Sequence, residues 1–140
     1  MEKYNPPEYD LFNLNNGSTL VGSTAVTLLY EGQTNAVVVV PPDLTLRVKQ
    51  VIIQNTTGSV VTVQLQAVTT QSGLPSPVNK TPPIPVPANS AVTLDEEEWS
   101  ISVKTGYSLA AIDSGMTTGG SGSSNVFVKA YFVKGTGSPI

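Results

Sequence analysis

Short β-branched runs recur along this chain, each stopped by proline, glycine or an asparagine turn, and no segment of about ten residues carries apolar side chains at helical spacing. Ala25-Val26-Thr27-Leu28-Leu29-Tyr30 ends in Glu31-Gly32, and a valine-rich run over 36–40 is stopped by Pro41-Pro42. β-branched side chains fit a pleated surface, and an apolar run without alternation fits a strand covered on both faces. Leu44, Leu46 and Val48 alternate with Thr45, Arg47 and Lys49, but Val51-Ile52-Ile53 breaks the period, which predicts a β-bulge near Gln50. After the turn Asn55-Thr56-Thr57-Gly58, Val61, Val63, Leu65 and Ala67 alternate with Thr62, Gln64 and Gln66. That is the pattern of a half-buried antiparallel strand. Strand character returns over 90–94, 99–104, 107–112 and 126–134. The fold expected is all-β: an antiparallel β-sandwich of about eight strands, jelly-roll-like first and an immunoglobulin-like sandwich second.

A chain of 140 residues is one domain, long enough to bury a core without disulfides or metals. Residues 1–20 differ from the sandwich expected over 21–140. They have no sustained period, and Pro6-Pro7 and Asn15-Asn16-Gly17 favour extended and turn geometry. Yet Tyr4, Tyr9, Leu11, Phe12 and Leu14 give the segment more apolar surface than a free tail carries. An extended N-terminal arm is therefore expected, with Tyr4, Pro6, Pro7, Tyr9, Leu11, Phe12 and Leu14 as partner-binding residues. The alternative is that the same side chains cap the domain's own core. Residues 71–89 are rich in proline, which bars a helix or a central strand, and a connection of that length is expected to be a functional or interface loop.

The chain has no histidine, no cysteine and a single arginine, Arg47, and 12% of its residues are charged, about half the usual share. General acid–base and thiol chemistry, and most metal sites, draw on the residues that are missing. No enzymatic role and no cofactor are expected. Asp95-Glu96-Glu97-Glu98 is the only charge run, but a Ca²⁺ loop spaces its carboxylates at alternate positions around a glycine, so a solvated turn is expected and no metal. Glu31 and Asp113 are the other acids weighed as half of a hydrolytic pair, and no spacing selects two of them. Trp99 shares a strand face with Ile101 and Val103, which favours packing over a sugar platform. Asn16, Asn55 and Asn79 head glycosylation-type triplets, a pattern too short to carry weight. A net charge of −3 makes direct nucleic-acid binding unexpected. The N-terminus lacks the apolar run of a secretory signal and no stretch matches a membrane span, so folding in a cytoplasm is expected.

Several of these segments together resemble a family. They are Val51-Ile52-Ile53-Gln54-Asn55-Thr56-Thr57-Gly58, then Val61-Thr62-Val63-Gln64-Leu65, then Pro85-Val86-Pro87-Ala88-Asn89-Ser90-Ala91-Val92-Thr93-Leu94. A glycine turn at Thr105-Gly106 and the closing strand Val126-Phe127-Val128-Lys129-Ala130-Tyr131-Phe132 follow. In this order they resemble the small β-sandwich virion proteins of tailed bacteriophages, which decorate capsids or sit on head and tail fibres. The resemblance implies a virion structural protein made in the host cytoplasm. Its partner would be the major capsid protein or another virion protein. Independently, sheet edges and an apolar arm that need covering make self-association as a homo-trimer expected, which a threefold lattice position would match. The charge and the lack of a span make neither nucleic acid nor membrane expected as a partner. A capsid decoration (cement) protein is the leading expectation. The alternatives are a tail or head-fibre component with a receptor- or glycan-binding sandwich, and a non-viral adhesion or carbohydrate-binding module.

Overall fold

The computed structural model describes residues 11–15, 26–30, 39–113 and 124–134. Its described strands are β1 (Phe12–Asn15), β2 (Val26–Thr27), β3 (Leu29–Tyr30), β4 (Leu44–Asn55), β5 (Val61–Val68), β6 (Val78–Asn79), β7 (Ile84–Val86), β8 (Ser90–Asp95), β9 (Ser102–Val103), β10 (Ser108–Asp113) and β11 (Ser124–Lys134). They form two sheets. The first runs β3-β1-β11-β4-β8 with β9 also on β4, and the second runs β2-β10-β5-β6 with β7 also on β5. Every pairing is antiparallel. The inward side chains of both sheets meet in one apolar cluster, with Leu46, Val51, Ile53 and Val126 from the first and Val63, Leu65, Val86 and Leu109 from the second. The all-β sandwich expected from the alternation is the fold observed.

Three pairs of short strands are segments of interrupted ones. β8 and β9 lie along the same edge of β4, at Gln50–Asn55 and at Leu46–Arg47. The acidic turn between them stays on that edge, where the Glu96 N–H donates to the Lys49 carbonyl and the Val48 N–H to the Ile101 carbonyl. β6 and β7 share the edge of β5 in the same way. Thr81 fills the gap: its Oγ1 accepts the Leu65 N–H at 3.1 Å, and its carbonyl accepts from Gln64 Nε2 at 2.8 Å. β2 and β3 pair with different sheets, so the segment 26–30 passes from one to the other.

The predicted bulge is present and falls at Lys49. Lys129 pairs with Gln50, whereas the next residue, Ala130, pairs with Val48. The extra residue reverses which face the side chains take, so that Leu46 and Val48 before it and Val51 and Ile53 after it all point into the core.

Two sequence expectations need correction. Residues 71–89 are not simply a loop, because β6 and β7 build from them the edge of the second sheet, and the prolines sit where a strand edge tolerates them. Nor is the polar face of β5 open to water. Gln64 and Gln66 are buried because their amides turn into hydrogen bonds with Thr81 and Asn79 of that edge segment.

Candidate binding face

The outward face of the first sheet is a grid set by strand register. In one row Thr93 (β8), Ile52 (β4), Phe127 (β11) and Asn15 (β1) lie side by side. The next row is Asp95, Gln50, Lys129 and Asn13, and the row on the other side is Ala91, Gln54 and Asn125. These residues alternate with Leu14, Val51, Ile53, Leu94, Val126 and Val128, which fill the core. Polar side chains surround an apolar centre, for Ile52 is 36% and Phe127 40% exposed. Directly opposed side chains of this kind support each other across the ladder. A depression of about 230 Å³ between Phe127 and Lys129 is floored by β11 and flanked by Gln50 and Asn13.

Beside it a cleft of about 370 Å³ is lined by Leu11, Lys49, Gln50, Lys129 and the first three acids of the charge run, Asp95, Glu96 and Glu97. The run is a turn that closes on itself, with the Glu98 and Trp99 N–H groups both donating to the Asp95 carbonyl. Its first two acids are held. Gln50 Nε2 donates to Asp95 Oδ1 at 3.2 Å, the Tyr131 hydroxyl donates to Glu96 Oε2, and Lys49 Nζ lies 3.7 Å from Glu96 Oε1. Among the described residues no group of three or more acidic side chains is placed to share a metal ion. Asp113 is buried on β10 in the other sheet, apart from this run, and Glu31 lies outside the described residues. Trp99 packs against the core cluster. Among the described residues no helix is long and apolar enough to cross a membrane.

Of the residues expected to bind a partner, Tyr4, Pro6, Pro7 and Tyr9 lie outside the described residues. Phe12 is in β1, which pairs with β11 on one side and β3 on the other. Leu14 is 1% exposed and belongs to the core, so for this residue the alternative holds and it caps its own domain. Leu11 is exposed at the rim of the cleft.

Two structural anchors were not singled out from sequence. Tyr107 has the largest of the fully buried side chains, and its hydroxyl donates to the Pro75 carbonyl at 2.7 Å, tying the proline-rich segment to the core. Asn55, read as part of a turn and as the head of a glycosylation-type triplet, is 1% exposed. Its Nδ2 reaches the carbonyls of Ser59, Val86 and Pro87, and its Oδ1 accepts from the N–H and hydroxyl of Thr57. Bonded this way, the Asn55 amide is not presented for glycosylation.

Compared with protein-family profiles, curated proteins and solved structures, the chain has no match.

Proposed function

We propose that this protein is a virion structural protein of the capsid decoration type, attached to a major capsid protein lattice through the segment that precedes Leu11. The observation that carries the reading is how the chain enters the sandwich. β1 is paired on both sides and Leu14 is locked into the core, while Leu11, three residues upstream, is left at the surface. An attachment segment that starts there has its root inside a sheet rather than in a loop. A pull on it is opposed by two hydrogen-bonded ladders and a buried side chain, which suits a protein that must stay on a shell under strain. Tyr4, Pro6, Pro7 and Tyr9 would make the contacts, with Leu11 at the root.

The strand order is compatible with a jelly roll. With β2–β3, β6–β7 and β8–β9 each taken as one interrupted strand, eight remain. One sheet then runs second-first-eighth-third-sixth and the other second-seventh-fourth-fifth, the second strand giving β3 to the first sheet and β2 to the other. With the second strand counted in the latter sheet alone, each sheet has four strands, as in the jelly rolls of viral capsid domains and lectins. A fold does not by itself choose between such roles, and the choice here rests on the rooted segment.

The test uses capsids purified without the protein. The full chain should co-sediment with them at a fixed ratio, whereas a chain starting at Leu11 should keep its β circular dichroism and stay in the supernatant. Normal attachment of the shortened chain, or failure of the full chain to bind, would defeat the reading.

A further inference from the structure

The outward face of the first sheet is not needed for attachment through the N-terminal segment, and its pattern is self-complementary. We propose that this face binds a second copy of the same chain, sheet on sheet, about a twofold axis that runs along β4.

The register supplies the reason. Asp95 on β8 and Lys129 on β11 are both direct neighbours of Gln50, one strand to either side of β4. A twofold axis along β4 exchanges the positions of β8 and β11. Asp95 of one copy then lies over Lys129 of the other, and the same contact forms a second time by symmetry. In the adjacent row the axis stacks Ile52 on its own symmetry mate and sets Phe127 against Thr93. The apolar centre is covered, and the two opposite charges of the grid find each other. The depression over β11, between Phe127 and Lys129, then lies opposite Thr93 and Asp95 on β8 of the second copy. Sheets stacked face to face in this way keep their strands within about 30° of each other, which preserves the pairing near the axis.

Three rows across the three strands that overlap, β8, β4 and β11, cover roughly 300 Å² at ordinary strand spacings, well under half of the ~800 Å² per partner in a standard interface. The pair is therefore weak as an isolated dimer, far from the nanomolar range, and calls for concentrations approaching about 1 mM to be seen. A weak contact of this kind gains force when both copies are held on one particle.

The test is in solution, without particles, so its failure leaves the attachment reading untouched. Sedimentation equilibrium of the full chain should move from 14.6 kDa toward twice that mass as concentration rises. Over the same range Asp95→Lys and Lys129→Asp should each remain monomeric, because each places like charges opposite one another at both symmetric contacts. An equimolar mixture of the two variants should dimerise at least as well as the parent, since the mixed pair restores both attractions. In the parent chain, backbone amide resonances of β4, β8 and β11 should shift with concentration while those of β5 and β7 stay fixed, a readout that needs no variant. The proposal is overturned if the parent is monomeric at about 1 mM. It is also overturned if the parent forms a trimer, if the mixed variants fail to pair, or if the shifts map to another surface.

Discussion

Replacing Asn55 tests the claim that one amide joins the end of β4 to the 55–59 turn and to the end of β7. Its side chain makes five hydrogen-bond contacts, two N–H groups shared among three carbonyls and an oxygen accepting two, the shortest at 2.7 Å to the Ser59 carbonyl and from the Thr57 hydroxyl. A neutral bond contributes about 1 kcal/mol net, and a buried group left without its partner costs about 1–3 kcal/mol. Water can reach the partly exposed partners Ser59, Pro87 and Thr57 when the side chain is removed, but the bond to the Val86 carbonyl is buried. Asn55→Ala should therefore lose about 3 kcal/mol, lowering Tm by about 10 °C in a domain of this size.

Asn55→Asp is the sharper perturbation. It has nearly the same shape and keeps the acceptor for Thr57, but it turns a carboxylate oxygen toward three carbonyls. At neutral pH it should be about 1–2 kcal/mol worse than alanine, since an unpaired buried charge costs more than a missing bond. The introduced carboxyl has its folded pKa raised, so the unfolded chain gives up its proton first as pH rises. The penalty then grows from about pH 4 upward and is smallest below it. Urea denaturation of both variants at acidic and neutral pH measures this. An aspartate variant as stable as the parent at neutral pH, or an alanine variant within about 0.5 kcal/mol of it, would refute the role given to Asn55.

Leu14→Ala should cost about 2–5 kcal/mol as a core truncation, whereas Leu11→Ala, at an exposed site, should change stability by less than about 0.5 kcal/mol; equal effects in thermal melts would put β1 outside the core. Gly106 has φ of 87° and its added Cβ would come within 2.9 Å of the Gln71 amide nitrogen, so Gly106→Ala should lose about 1–2 kcal/mol, mostly to left-handed backbone strain. A neutral result in the same melts would mean that the turn relaxes. Desolvation of half-buried Lys80 lowers its pKa from the ordinary lysine value. Between the lowered and ordinary values the unfolded chain holds more protons, so stability should rise with pH across that alkaline window. Lys80→Gln should flatten that rise in denaturation curves taken up to about pH 10.5.

Fold class was legible in the chain because the strand period is 2, and a sheet with one wet face writes that period into the sequence. The alternation in β5 and the break at Gln50 located a strand and a bulge from sequence alone, and both are present. Proline content likewise excluded residues 71–89 from any sheet centre, though it could not show that Thr81 would bridge β6 and β7 into an edge. The first residues were harder to read. Leu11, Phe12 and Leu14 are apolar in a stretch without a period, and a four-residue strand, β1, is too short to show one. Whether Leu14 meets a partner or its own core depends on β11, more than a hundred residues away.

The alternation and the lack of a helical stripe determined that this chain packs sheets, and the sequence contains neither histidine nor cysteine. Tertiary structure alone decided which residues stand side by side on the outward face. Ile52, Phe127, Asp95 and Lys129 come from three strands, and nothing local to any of them records the others. Their meeting is a matter of register across β4, and register is set by burying the opposite face of those strands in the core.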